Sequence, residues 1–228
     1  MVKLNPLNKL GIAAAICATI AYTQYPNFNM PYANAAEGLR IAPPAAAISE
    51  PAGLQTAIFS GGCFWGIEGV FDHVKGVTRA ESGYIGGSKA NATYDLVSNG
   101  TTGHAEAVRV TYDPAKIGYN GLLHVFFAVS HDPTQLNRQG PDTGTQYRTA
   151  IFPVTSAQGK AARAYIAQLS VNNPWGAKIV TKIESGTFYP AETYHQNFMA
   201  KNPSHPYIRA HDAPKVTNLR RIFPGSYK

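Results

Sequence analysis

The sequence predicts an α+β domain, built as a two-layer sandwich of helices around one mixed sheet. Three observations carry that expectation. Its 228 residues include 44% hydrophobic and 14% charged side chains, an ordinary globular balance. That length suffices for one well-buried domain and is cramped for two. From residue 55 onward, strand-like alternation and helix-like spacing follow one another irregularly and without internal repeat, as expected when helices stack on a single sheet.

The elements follow in order. QTAIFS (55–60) is β-branched and aromatic and stops at Gly61 and Gly62, which reads as a strand. Phe64, Ile67, Phe71 and Val74 then recur at the spacing of a helix's apolar stripe, so Cys63 falls at a strand-to-helix junction. GVTRAESGYIGG (76–87) reads as a second strand ending in a glycine turn, and NATYDLVSNG (91–100) as a short helical piece. In HAEAVRVTYDP (104–114) the alternation puts Glu106, Val108, Val110 and Tyr112 on one face of a third strand. NGLLHVFFAVSHDP (120–133) has helical spacing and stops at Asp132-Pro133; QYRTAIFP (146–153) reads as a fourth strand. TSAQGKAARAYIAQLS (155–170) is an Ala-rich helix with a Thr/Ser cap, AKIVTKIES (177–185) a fifth strand, and PAETYHQNFMAKN (190–202) a helix opened by proline. The proline-punctuated tail after Asn202 is expected to wrap the surface.

The N-terminus has a different character. Lys3 and Lys9 precede the apolar run LGIAAAICATIAY (10–22), and Ala33-Asn34-Ala35 offers the small-x-small pattern of a signal peptidase site. The expectation is a signal peptide over 1–35, with an uncleaved membrane anchor as the alternative, and hence an exported, periplasmic protein. Ile16 before Cys17 makes a poor lipobox. Residues 36–54 read as a Pro/Ala-rich linker and 55–228 as the catalytic domain with its tail. The net charge of +7 is spread along the chain without a run of five or six like charges, which points away from nucleic acid and needs no polyanion. Nothing demands more than a monomer.

Two cysteines are present, and Cys17 lies in the leader, so the folded domain carries a single thiol, Cys63. A small buried hydrophobe is the ordinary fate of a free cysteine. The paired glycines, the helix N-terminus and the export setting favour a nucleophile instead, its pKa lowered by helix-terminal N–H groups. Glu106 shares its strand face with valines. Its carboxyl is either a buried acid kept neutral by desolvation or a carboxylate paired at the sheet edge, and periodicity leaves the two even. Phe64 and Trp65 could wall a pocket beside the sulfur, although Phe64 also lies on the core stripe. Neither the thirteen tyrosines nor the seven histidines are singled out by spacing, so a Cys-His hydrolase or acyl transferase and a non-catalytic exported binding module stay as alternatives.

Six colinear blocks carry a resemblance: GCFWG (62–66), GYIGG (83–87), TYDLV (93–97), TGHAEAVRVTYDP (102–114), HDPTQLNRQGPDTGTQYRTAIF (131–152) and FYPAETYHQNF (188–198). Together they resemble the A-type peptide methionine sulfoxide reductases from about Gln55 to the C-terminus. The resemblance implies a ferredoxin-like two-layer fold and attack by Cys63 on the sulfur of S-epimer methionine sulfoxide, free or protein-bound, in repair of oxidative damage. It assigns Phe64 and Trp65 to the substrate methyl group and Glu106 to protonating the sulfoxide oxygen. Tyr94 and Tyr147 would also bind that oxygen, and Asp142 would help to order the site. No metal or organic cofactor is implied. The chemistry is sound on its own terms, because a sulfoxide sulfur is a weak electrophile until its oxygen gains a proton or strong hydrogen bonds. The product on the protein is a Cys63 sulfenic acid.

Many members carry C-terminal resolving cysteines, whereas this chain has none after Cys63. The expected enzyme is therefore a one-cysteine variant reset by an external thiol: thioredoxin, glutaredoxin or glutathione. After a single turnover without reductant, dimedone should label Cys63, read by mass spectrometry; a Cys17–Cys63 disulfide would overturn this expectation.

Overall fold

The computed structural model describes residues 38–228; the expected signal peptide and Cys17 lie outside the described residues. The central strands are β1 (Gln55–Ser60), β2 (Val77–Ile85) and β3 (Ala105–Tyr112). Strand β3 lies between the other two, antiparallel to both, with Phe59 opposite Val108 and Tyr84 opposite Glu106. Two hairpin strands, β4 (Arg138–Gln139) and β5 (Asp142–Thr143), form a separate ribbon. The main sheet is completed by β6 (Ala150–Ile151), β7 (Lys182–Ile183) and β8 (Phe188–Pro190), in the order β7-β6-β1-β3-β2-β8. Only the β6–β7 pair is parallel, so the sheet is mixed.

One face of this sheet carries the helices. Helix α1 (Phe64–Asp72) buries Phe64, Ile67, Val70 and Phe71 against Ala57 and Phe59 of β1 and Val108, Val110 and Tyr112 of β3. The short α2 (Tyr94–Val97) adds Val97 to the same cluster. Helix α3 (Tyr119–Val125) widens into a π-helical turn, Phe126–Ser130, which brings Phe126 to 4.8 Å from Phe59, ring to ring. Helix α4 (Ser156–Asn172) contributes Ala161, Ala162, Tyr165 and Leu169, and its Thr155 cap accepts the Gln158 N–H at 3.1 Å. Each large apolar side chain so removed from water contributes about 1.5–3 kcal/mol, which makes this face the main source of stability. The opposite face holds a small apolar patch that includes Ile58, Ala105, Ala107 and Phe152, together with Glu81 bridged to Arg79 and Arg109. Two layers result, as predicted.

The periodicity reading and the structure part company in four places. Residues 38–53 pack as a strap instead of hanging as a linker. Tyr165 donates its hydroxyl hydrogen to the Ala42 carbonyl, Gln168 bonds Pro43 and Ala45, and the Glu50 carboxylate accepts from the Tyr112 hydroxyl and from the Tyr119 N–H at 2.7 Å. The fourth and fifth strands shrink to two residues each: the turn at 145–147 takes Gln146 and Tyr147 out of the fourth, and the fifth pairs with that short strand alone at the sheet edge. Of the predicted helix over 190–202, only α5 (Phe198–Lys201) forms. The preceding stretch is held open by its side chains: the Gln196 amide accepts the Ser82 N–H and donates to the Ser82 carbonyl, standing in for a further strand beside β2. The tail is no surface wrap. A π-helical turn (Ile208–Asp212) leads into α6 (Ala213–Ile222), which buries Asp212, Lys215 and Leu219 against the helical layer.

The strap makes a stability prediction. Glu50→Ala leaves a buried phenol and a helix-start N–H without their acceptor, so unfolding free energy should drop by about 1–3 kcal/mol, measured by urea denaturation.

Candidate active site

The site is assembled at the N-terminus of α1. Strand β1 ends at Ser60, and Gly62 turns the chain at φ +100°, a value that only glycine adopts freely. A Cβ there would also stand 2.6 Å from the Gln139 side chain. The glycine thus admits the β4–β5 hairpin, which carries Asp142, close to Cys63. Gly66 leaves a second notch: a Cβ would lie 2.2 Å from Asp212 Oδ1 and 2.6 Å from Lys215 Nζ. Through it the C-terminal segment reaches the first turn of α1.

Cys63 takes the N-cap position and is a free, buried thiol. Its pKa lies well above the ordinary value, contrary to the lowering expected from the helix terminus. Burial is the main cause, and the nearby carboxyls of Glu106 and Asp212 add to it. The Trp65 backbone N–H works in the opposite direction but is outweighed. The resting residue is therefore a thiol.

Glu106 is 2% exposed on β3, and its Oε2 accepts the Phe64 N–H at 3.0 Å. Burial pushes its carboxyl up to about 8, with Phe64 pulling down and Asp142 and Asp212 pushing further up. Of the two possibilities left open by periodicity, the buried acid is the one realised: at neutral pH Glu106 is protonated. Because Oε2 faces a donor, Oε1 is left to carry the proton.

The remaining predicted residues converge on this pair. Tyr94 and Tyr147 both lie within electrostatic reach of Glu106 and Cys63, and burial raises both phenols. Tyr147 is held by its neighbour Arg148, which pairs with Glu184 at 2.9 Å and bonds the Gly103 carbonyl, while Ser60 bonds the Arg148 carbonyl. Asp142 accepts the Tyr207 hydroxyl hydrogen, and burial lifts its carboxyl. Phe64 is only 1% exposed, so it belongs to the core as much as to the site. Trp65 is half-buried, with its indole stacked on Phe198 at 3.8 Å and its Nε1–H donated to His195 Nδ1 at 3.1 Å. Tyr207 meets the same indole edge-on at 6.1 Å.

Sequence reasoning missed His195, Glu192, Phe198, Tyr207 and the Asp212–Lys215 pair. Glu192 accepts the Tyr94 N–H at 2.9 Å and the Tyr84 hydroxyl at 2.8 Å. Asp212 is fully buried with Lys215 Nζ at 3.1 Å. These residues lie 65 or more positions from the ones they serve, and no spacing rule connects them. The only sequence signal was the block around 188–198, which contains three of them. Chemically, the arrangement offers a thiol, a neutral acid and two phenols around one point, with aromatic walls beside it. It suits donation to a substrate oxygen while sulfur attacks a neighbouring atom.

The family model described as peptide methionine sulfoxide reductase matches residues 55–226. The peptide methionine sulfoxide reductase MsrA 2 of Mesorhizobium japonicum is 57% identical over 176 residues, covering 77% of this chain and 90% of that protein. The MsrA of Deinococcus radiodurans is 54% identical over 170 residues, covering 74% and 82%. Among solved structures, methionine sulfoxide reductase A of Corynebacterium diphtheriae superposes with a TM-score of 0.57 at 33% identity, covering 73% of this chain and 87% of that one. Reduced Mxr1 of Saccharomyces cerevisiae gives 0.60 at 35%, covering 69% and 91%.

Two predictions follow from the geometry. Gly66→Ala must displace the Asp212–Lys215 pair, and it should lower the melting temperature and the activity together, measured on the same preparation. For Glu106, the folded state keeps a proton that the unfolded chain releases above about 4.5, so this residue makes stability fall as pH rises from there towards about 8. Urea midpoints between about pH 5 and pH 8 should accordingly decline less steeply for Glu106→Gln than for the wild type.

Proposed function

The chain belongs to the peptide methionine sulfoxide reductase family, and we propose that Cys63 is its reducing nucleophile and Glu106 the acid that activates the substrate oxygen. The activity is that of a peptide-methionine (S)-S-oxide reductase: methionine sulfoxide is reduced to methionine at the expense of a thiol. A hydrolase or a binding module finds no support in these relationships. The single observation that carries the site assignment is the buried Glu106, its carboxyl raised by desolvation, hydrogen-bonded to the helix terminus that holds Cys63.

In the proposed cycle the sulfoxide methyl group packs against Phe64 and Trp65, and its oxygen accepts from Glu106, Tyr94 and Tyr147. Asp142, fixed by Tyr207, orders the far side of the site. As Cys63 Sγ bonds the sulfoxide sulfur, Glu106 passes its proton to the oxygen and recovers one from the thiol. The net step is balanced: thiol plus sulfoxide gives the Cys63 sulfenic acid plus thioether, with sulfoxide sulfur reduced and Cys63 sulfur oxidised by two electrons. A reductant thiol then condenses with the sulfenic acid, releasing water and leaving a mixed disulfide. A second thiol frees Cys63 and leaves as the oxidised reductant. A high thiol pKa is no obstacle here, because the proton lost from sulfur is the one Glu106 regains.

The reductant is an external thiol, with thioredoxin, glutaredoxin and glutathione as the candidate classes. The absence of cysteine beyond residue 63 supports this reading. An exported, periplasmic location, or a membrane anchor in its place, is supported by the apolar leader behind Lys3 and Lys9.

Reduction of the two N-acetyl methionine sulfoxide epimers with dithiothreitol tests the assignment. Cys63→Ser should abolish turnover, and the wild type should take the S epimer; activity in the mutant or preference for the R epimer would overturn it. Wild-type kcat/KM should fall above about pH 8 as Glu106 ionises. Glu106→Gln should lose about 10²–10⁴ in rate and that limb with it.

A further inference from the structure

A second carboxyl, Glu68, is buried in α1 one turn beyond Trp65, and the cycle above gives it no role. It is 1% exposed. Its Oε2 accepts two hydrogen bonds, from the Asn197 backbone N–H at 3.0 Å and from the Ser82 hydroxyl at 3.1 Å. Burying such a group for α-helix stability alone is unfavourable, since desolvation penalises the charge and the neutral acid still needs partners. The informative feature is where its bonds lead.

Asn197 is no ordinary partner. It stands in the left-handed region at φ +56° and begins the short helix α5, so its N–H fixes the direction in which the next residue leaves. That residue is Phe198, whose ring lies flat on the Trp65 indole at 3.8 Å with an interplanar angle of 10°. On the other side of Asn197, Gln196 is clamped to Ser82, and His195 accepts the indole N–H. Glu68 therefore sits where β2, the 195–198 segment and α1 meet, and it belongs to the same helix as the indole being packed.

We propose that Glu68 is a positioning residue for substrate binding: by holding the Asn197 N–H it sets Phe198 and His195 against Trp65 and so shapes the wall that receives the substrate's methyl group. The link is backbone-to-carboxyl, so it acts on the indole's orientation without touching substrate. It rests on the reductase reading and extends it. Loss of the link should weaken binding and leave the chemical step at Cys63 nearly intact.

The test uses the whole chain in a Trp175→Phe background, where Trp65 is the remaining tryptophan of the two. For Glu68→Ala we expect KM for S-epimer methionine sulfoxide to rise about tenfold, kcat to stay within about threefold, and Trp65 emission to shift to the red. Glu68→Gln keeps an acceptor at the same reach and should restore both KM and emission. Glu68→Asp keeps the carboxyl but is one methylene short, so it should resemble the alanine variant; it also serves if Glu68→Ala does not fold. Folded variants with wild-type KM and emission, or a glutamine variant no better than aspartate, would overturn the proposal. Emission is independent of turnover. Failure of the wild type to reduce the sulfoxide would therefore count against the reductase reading, and an unmoved emission band against Glu68.

Discussion

The hydrogen bond from the Phe64 N–H to Glu106 Oε2 is the constraint around which the site is organised. It joins the first turn of α1 to the middle strand of the sheet, and it does so inside the protein, where an unpaired carboxyl would be expensive. Because the bond consumes one carboxyl oxygen, the other keeps the proton. Because it anchors the residue after Cys63, it also places the thiol beside that proton. A helix terminus commonly activates cysteine by stabilising the thiolate. Here burial prevails and raises both the Cys63 thiol and the Glu106 carboxyl.

Around this contact the glycines of the GGCFWG segment work as recesses. Gly62 receives Gln139 and with it the hairpin that bears Asp142; Gly66 receives the Asp212–Lys215 pair of the C-terminal segment. Both recesses draw in chain distant in sequence, and both incoming segments add a side chain to the site, Asp142 from one and Tyr207 from the other. The buried ion pair is costly to desolvate, and it fits closely against the notch that Gly66 leaves. Trp65 is treated similarly, since Phe198, His195 and Tyr207 hold its indole from three directions.

How far this could be read beforehand varies by element. The alternation in 105–112 identified β3 and its buried face correctly because a period of two is a local property of a half-buried strand. The apolar stripe from Phe64 identified α1 for the same reason. QYRTAIFP and AKIVTKIES alternate just as well, yet little of either enters the sheet; their backbone is claimed by the turn that presents Tyr147 and by the sheet's short edge. The 190–197 stretch has helical composition and is not helical, because Glu192 and Gln196 use their side chains to bond backbone from other elements. The strap of 38–53 looked like a linker since proline and alanine carry no periodic signal. Its place depends on tertiary partners such as Tyr112, Tyr165 and Gln168.

The sequence by itself determined the family and pointed to the proposed reacting group: one thiol behind two glycines, a glutamate on an apolar strand face, and motif blocks in family order. Those are matters of residue type and short-range spacing, which survive without coordinates. Only the tertiary structure decided that Glu106 is buried rather than paired at the sheet edge, that burial raises the Cys63 thiol instead of lowering it, and that His195, Phe198 and Tyr207 pack around Trp65 while Glu68 holds the Asn197 N–H. Each of those depends on how completely a group is taken out of water and on which distant donor then faces it, and neither quantity exists until the chain has folded.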